Sequence, residues 1–444
     1  MFKIAFRNVL RNGRRSFMTA SAIAVGATAL ILFGEYNGMA MVGMQTGIIR
    51  SAGHLAVFQK GYFEFGSAQP LAYGINDYPK VMGLLKADPV LKPMLRVVTP
   101  SVSLGGIAGN ATVDRSKTFF GEGIVPSDQD RMATWDEYKL NDGNFHTSGL
   151  KDGDLDHGII GRGLARILGL CKPLKVKNCP VDATANNSFL TDSAAAHKGP
   201  RIDLLGSAGG APNIVAFYPT EARGMGAREL EDSYVEMNLP LAQQLLYGGG
   251  EKKVTSITLQ LVRSEDMDAA RARLEALFAA QHLNLEVRDY REMAPSFLQI
   301  MNFLNVIFAF LTVVLGIIVL FTTANTMGMS IMERTNEIGT ARAMGVRRAG
   351  IRSQFLLEGA ILGVIGATSG LVLSAVVTTL INHADIRYTP PGDASPIPLT
   401  LLTHGTGGLL TTIWIVLVIM ATLASIIPAN RAARMKVVDA LRHV

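Results

Sequence analysis

Residues 293–332 read MAPSFLQIMNFLNVIFAFLTVVLGIIVLFTTANTMGMSIM, forty residues without one Asp, Glu, Lys or Arg. As a helix rising 1.5 Å per residue they would reach about 60 Å, roughly twice the ~30 Å hydrocarbon core of a bilayer. The middle, about Leu304–Phe321, is the most apolar part. The flanks carry Ser296, Gln299, Asn302, Thr322, Asn325 and Thr326. The stretch therefore reads as a membrane span that projects beyond the bilayer as a stalk. Pro295 fits its first turn, where a missing N–H costs nothing.

Three more charge-free stretches follow the same logic: residues 16–34, 359–384 and 394–430. Each can supply one span of about 20 apolar residues. The chain of 444 residues is 48% apolar and 18% charged, less charged than the roughly 25% of soluble domains. Lys3, Arg7, Arg11, Arg14 and Arg15 precede the first stretch, which is longer than a signal-peptide core and reads as an uncleaved anchor.

Orientation follows from the placement of Lys and Arg. The N-terminal flank, the 333–352 loop (Arg334, Arg342, Arg347, Arg348, Arg352) and the tail (Arg431, Arg434, Lys436, Arg442) are basic; the 383–404 loop has only Arg387. Both termini and the 333–352 loop are thus expected in the cytoplasm, and residues 35–292 outside. That segment holds 27 basic and 30 acidic residues, so the overall charge of +6 reflects topology. No basic stripe with interleaved aromatics points to nucleic acid.

The expected organisation is a cytoplasmic amphipathic helix (1–15), a first span (16–34) and a large extracytoplasmic domain (35–292). A stalk and second span (293–332), a cytoplasmic loop (333–352) and a third span (353–382) follow. A short outer loop (383–404), a fourth span (405–428) ending at Pro428, and a cytoplasmic tail (429–444) complete it. The fold class is a membrane protein of four transmembrane helices with an α+β domain inserted between the first two. Within that domain Ser256–Val262 and Ser233–Met237 alternate like strands. Asp266–Leu283 has helical spacing, with Leu274, Leu277, Phe278 and His282 near one face. Thr184–Pro212, rich in Ala, Ser, Asn and Gly, reads as a loop.

The two cysteines, Cys171 and Cys179, both fall in the outer domain, where an oxidising compartment permits a disulfide; two free thiols are the alternative. No metal site is indicated, since two cysteines without nearby histidines cannot complete a zinc shell. Gly363, Gly366 and Gly370 sit at helical spacing in the third span, where small residues let helices approach closely. Glu358, near the cytoplasmic end of that span, is placed to snorkel or to pair with Arg352. No G-x-x-x-x-G-K-[ST], H-E-x-x-H or G-x-S-x-G occurs in the 444 residues, so no phosphate cradle, zinc protease or serine nucleophile of those kinds is present.

The segment Met332–Gly359, MERTNEIGTARAMGVRRAGIRSQFLLEG, reads as a short amphipathic helix closed by Gly345. Ile338, Ala341 and Met344 share its apolar face. Its pattern resembles the coupling-helix region of the MacB/FtsX/LolC–LolE superfamily of ABC permeases, E-R-x-x-E-I-G-x-x-x-A-x-G followed by F-L-x-E. The matching residues are Glu333, Arg334, Glu337, Ile338, Gly339, Ala343 and Gly345, then Phe355, Leu356 and Glu358. The ending Pro428–Arg442 and the opening Ala5–Arg15 are also similar to that family's, although Val437 stands where Pro is frequent. Gly53–Val57, Phe120–Pro126 and Gly158–Ala165 look like stretches of the lipoprotein-releasing LolC/LolE type.

The resemblance implies a permease subunit in the bacterial inner membrane, with a MacB-like periplasmic domain and no catalysis of its own. It implies a dimer with an identical or different permease chain, carried by two copies of a partner ATPase that supplies ATP and Mg chemistry. Residues Glu333, Arg334, Glu337, Ile338, Gly339, Arg342, Ala343, Met344 and Gly345 would dock that ATPase. ATP-driven motion would reach the outer domain by mechanotransmission, to extract lipoproteins or another hydrophobic substrate. Tripartite drug or peptide efflux with a periplasmic or outer-membrane partner, or FtsX-like signalling to a periplasmic hydrolase, are the alternatives.

Overall fold

The computed structural model describes residues 2–11, 13–66, 69–140, 147–176, 200–206, 212–225, 228–249, 252–389, 397–403 and 405–437. The chain divides into two compact units. The first comprises Met1–Met41, Gln299–Arg387 and Pro398–Val444; the second comprises Val42–Leu298 and Tyr388–Ile397.

The first unit is helical. Its elements are α1 (Phe2–Arg11), α2 (Gly13–Ala52) as far as Met41, α10 (Pro295–Glu333) from Gln299 onward, α11 (Thr335–Ala343), α12 (Arg348–His383), α13 (Gly407–Ala424) and α14 (Ile426–Arg434). Among the described residues, four helices are long and apolar enough to cross a membrane: Gly13–Ala52, Pro295–Glu333, Arg348–His383 and Gly407–Arg434. Exposed Phe303, Val306, Phe310, Val313 and Phe321 line α10, as lipid solvation requires. Two helix boundaries add to the expected spans. The helix begun by the first charge gap continues past residue 34 to Ala52. Pro428 does not end the fourth helix: α13 gives way at Ser425, and Pro428 sits in the first turn of α14, the one place where a helix tolerates a missing N–H.

The spacing of small residues in α12 settles how the bundle packs. A Cβ on Gly363 would lie 2.9 Å from Ala421 Cβ and 3.2 Å from Val418 Cα of α13. On Gly366 it would lie 2.6 Å from Ile23 Cβ and 2.9 Å from the Ala20 carbonyl oxygen of α2. On Gly370 it would press on Ala27 and come within 2.8 Å of the Ala24 carbonyl oxygen. The glycines thus serve two neighbours, α13 with Gly363 and α2 with Gly366 and Gly370.

Among the described residues, the second unit is built on nine strands: β1 (Leu55–Gln59), β2 (Leu95–Asn110), β3 (Arg115–Ile124), β4 (His157–Gly161), β5 (Ile202–Gly206), β6 (Asn213–Arg223), β7 (Tyr234–Asn238), β8 (Ser256–Leu261) and β9 (Leu285–Asp289). Their order is β3-β7-β4-β6-β5-β2-β8-β1-β9, and a further β2–β3 pairing closes six of them into a ring. The 16-residue β2 joins this ring to the rest of the strand order. Its first half pairs with β8, its second half with β3 and β5. Helices α3 (Tyr78–Ala87), α4 (Pro126–Ala133), α5 (Arg162–Ile167), α6 (Arg228–Glu231), α7 (Leu239–Tyr247), α8 (Met267–Ala280) and α9 (Tyr290–Met293) pack on this framework.

The alternating stretches form β8 and β7 as expected. Leu274 and Phe278 of α8 are buried, but His282 lies past the helix end, exposed, at φ 53°. The stretch read as a loop contains β5. Leu204 is buried there beside Ala108, a ladder partner that composition does not announce; residues 184–199 and 207–211 of the stretch lie outside the described residues.

Glu122 and Glu236 stand opposite each other on β3 and β7. The Tyr234 hydroxyl lies 3.2 Å from Glu236 and 3.4 Å from Glu122, and Arg223 is 3.8 Å from Glu236. Burial, then the Glu236 charge, pushes the Glu122 pKa from 4.5 to about 7. Between those values the folded chain holds a proton that the unfolded chain has lost, so stability falls as pH rises through the window. Glu122→Gln should melt with the wild type near pH 4 and above it at pH 8, by on the order of 3 kcal/mol. Thermal unfolding across this range checks it, and a gain independent of pH would refute it.

Candidate functional site

The site is the end of the helical unit where α1, α11, α12 and α14 converge. Helix α11 ends in a Schellman closure. Gly345, at φ 96°, donates to the Arg342 carbonyl at 3.1 Å, and Val346 donates to the Ala341 carbonyl at 3.1 Å. The αL conformation at Gly345 is what glycine supplies without Cβ strain. Inward, Ile338 is buried among Ala5, Val9, Ile331, Phe355 and Ala432. Removing its side chain from water holds α11 in place by about 2 kcal/mol.

A polar clamp completes the anchorage. Arg334 Nη1 donates to both Glu358 oxygens at 3.1 Å, and its Nε donates to Glu337 at 3.3 Å. Its guanidinium carbon lies 5.4 Å from the Phe355 ring centre, a cation–π distance. Asn8 of α1 donates to Glu358 at 2.7 Å, and Gln354 donates to it at 3.3 Å. Glu358 therefore pairs with Arg334, not Arg352. Facing the bundle, it is 3% exposed, and a buried carboxylate takes the cation it can reach with the other lone pairs satisfied. Arg11 of α1 donates twice to Glu337, at 2.7 and 2.9 Å. Burial alone would raise the Glu337 pKa, but the hydrogen bonds from Arg11 and Arg334 outweigh it and the net shift is downward. Arg15 pairs with Glu333, and Arg342 donates to the Ala433 carbonyl of α14 at 2.7 Å.

The motif residues thus divide in two. Arg334, Ile338 and Gly339 are buried and Arg342 half-buried; they hold the helix. Glu333 and Glu337 are exposed but tied to α1. Ala343, Met344 and Gly345 are exposed at the tip, Met344 to 76%, so Met344 does not share the inward face with Ile338 and Ala341. Asn336 and Thr340, also exposed, extend this outward surface. Their i, i+4 spacing to one another and to Met344 is visible in the sequence. Asn8, Arg11, Arg15 and Gln354 were legible only as a basic flank and a polar position. Gly363, Gly366 and Gly370 lie deeper in the bundle, as described. Cys171, in the second unit, is disulfide-bonded; Cys179, the other cysteine of the sequence, lies outside the described residues. No group of three or more His, Cys, Asp or Glu able to hold a metal occurs among the described residues.

Residues 306–437 match the family model described as FtsX-like permease C-terminal. That stretch contains most of α10 and all of α11, α12, α13 and α14. Among curated proteins, the macrolide export ATP-binding/permease protein MacB of Neisseria gonorrhoeae is 32% identical over 200 residues, 43% of this chain and 28% of its own length. The MacB of Brucella abortus is 30% identical over 179 residues, 39% of this chain and 27% of its own. The ABC transporter permease YtrF of Bacillus subtilis is 33% identical over 122 residues, 27% of this chain and 28% of its own. The chain thus covers less than a third of each of these relatives.

Proposed function

We propose, for a chain that carries an FtsX-like permease domain of the MacB/FtsX/LolC–LolE superfamily, that α11 is the docking element for an ABC ATPase. The observation that carries this reading is the division of α11: one side locked by Arg334, Ile338 and Arg342, the other side, Asn336, Thr340, Ala343 and Met344, left to solvent. A helix meant only to join two spans needs no such clamp; one that receives a push does. The ATPase, in two copies under a permease dimer, supplies ATP and Mg chemistry. The membrane is the bacterial inner membrane, with the termini and α11 cytoplasmic and the strand-rich unit periplasmic.

Helix α10 leads directly into α11, and an unbroken hydrogen-bonded helix is a stiff element able to carry displacement. The work done is the extraction of lipoproteins or another hydrophobic substrate from the membrane. Efflux is the second reading, favoured by the likeness to proteins named for macrolide export.

Met344→Asp, on the most exposed residue of the tip, should leave folding unchanged and reduce copurification of the ATPase by tenfold or more. It tests docking because burying an unpaired charge against a partner is costly. Full association of the variant would overturn the docking assignment. On depletion, lipoproteins retained in the inner membrane would support extraction, whereas drug hypersensitivity without retention would favour efflux.

A further inference from the structure

A cavity of about 270 Å³ opens in the strand-rich unit beside β2. Lys86, Lys92, Arg96 and Arg131 line it, over Leu95 and Val97, and no lining residue is acidic. Lys86 closes the last turn of α3 and Arg131 the last turn of α4; Lys92 lies on the turn that leads into β2. Arg96 is placed by an irregularity. The register of β2 against β8 slips between Leu95 and Val97, and such a bulge leaves its extra residue unpaired and re-aims its side chain.

Each guanidinium is held against the backbone of the other arginine. Arg131 donates to the Arg96 carbonyl at 3.1 Å; Arg96 donates to Thr134 Oγ1 at 2.8 Å and to the Arg131 carbonyl at 3.5 Å. Burial, then the Arg131 charge, lowers the Arg96 pKa. Arg131 pairs with Asp128 at 3.3 Å. Among the described residues no ion pair is recorded for Lys86, Lys92 or Arg96. Of the four cations, Lys86, Lys92 and Arg96 thus stand close together without such a partner; like charges repel, and an anion between them relieves the repulsion.

We propose that this cavity binds a phosphate oxyanion. The N–H donors that the two guanidinia keep beyond these bonds, with two flexible ammonium groups, supply positive charge and donors for a tetrahedral anion. The volume lies just below the roughly 300–1,000 Å³ of drug-sized ligand pockets, so it suits a headgroup-sized group. The apolar floor at Leu95 accommodates an ester substituent. The phosphate can come from solution or from a lipid headgroup. The inference is independent of the docking role of α11.

The test uses the full chain in uncharged detergent at constant ionic strength. Inorganic phosphate is titrated calorimetrically. In parallel the chain is reconstituted in phosphatidylcholine nanodiscs with and without phosphatidic acid, and retained lipid is measured. Arg96→Gln/Arg131→Gln should weaken whichever ligand binds by at least tenfold. Lys86→Gln/Lys92→Gln, which changes only exposed side chains, should weaken it several-fold and covers the case in which the arginine variant fails to fold. Saturable binding of inorganic phosphate that both variants weaken identifies a soluble phosphate. Enrichment of phosphatidic acid alone, with the same dependence, identifies a headgroup. No binding of either probe, or binding that both variants leave unchanged, overturns the proposal.

Discussion

Arg334→Met should destabilise the helical unit by about 3–5 kcal/mol, because it strands the Glu358 carboxylate, 3% exposed, without its cation. The loss should not stop at the pair. Arg334 also holds Glu337, which Arg11 holds from α1, so α1 and α11 should loosen together. The double variant Arg334→Met/Glu358→Leu removes both charges and should recover much of the loss, since a buried ion pair and an apolar pair of similar volume are often close in stability. Thermal unfolding in detergent, read as a double-mutant cycle, decides it. If the double variant is no more stable than Arg334→Met, the clamp is not the anchor of α11. Protection of α11 amides from hydrogen exchange supplies a local readout: it should fall in the single variant and return in the double.

The second large effect is expected at Gly370. Its missing side chain leaves room for Ala27, and the nearest backbone, the Ala24 carbonyl oxygen, would be 2.8 Å from a Cβ. A carbonyl of a neighbouring helix cannot rotate away as the end of a side chain can. Gly370→Val must therefore push α2 and α12 apart, at the expense of Ile23, Ala27 and Ala367, which share one buried cluster. Overpacking usually costs about 1–3 kcal/mol, and here the branched residue meets backbone, so the upper end or beyond is expected. Gly408→Ala, where a Cβ meets nothing within 4 Å, is the control. Matching melting temperatures for the two variants would show that the close approach at Gly370 is not needed.

The helices and the coupling segment were legible for different reasons. Charge-free runs of 19 to 40 residues exclude almost everything but apolar helices, so the four long helices could be placed without any knowledge of contacts. Gly345 announced the end of α11 because a helix closure of this kind needs a positive φ. The alternation of β7 and β8 was visible because each has its own period. By contrast, β5 lies in a stretch of helix-neutral small residues; it is a strand because β2 and β6 offer ladder partners on both sides. The helix of the first span continues beyond the expected span limit at residue 34, to Ala52, because a helix needs only its own hydrogen bonds to continue.

Most of the clamp was not legible. Glu358 was visible as a charge at the edge of a span, and Arg352, six residues before it, seemed within reach. Its actual partners are Arg334 and Asn8, the latter 350 positions away. Nothing local specifies a contact at that distance.

By itself, the sequence determined what each segment is: four long apolar helices, an inserted α+β domain, and a short helix with a family pattern between the second and third. Those are properties of composition and period, which act over one or a few turns. Only the tertiary structure decided which residues of the short helix look inward and which look out. Burial of Ile338 and the pairing of Arg334 with Glu358 depend on surfaces that α1, α12 and α14 create only once they are packed, and the exposed tip at Met344 is what that packing leaves over.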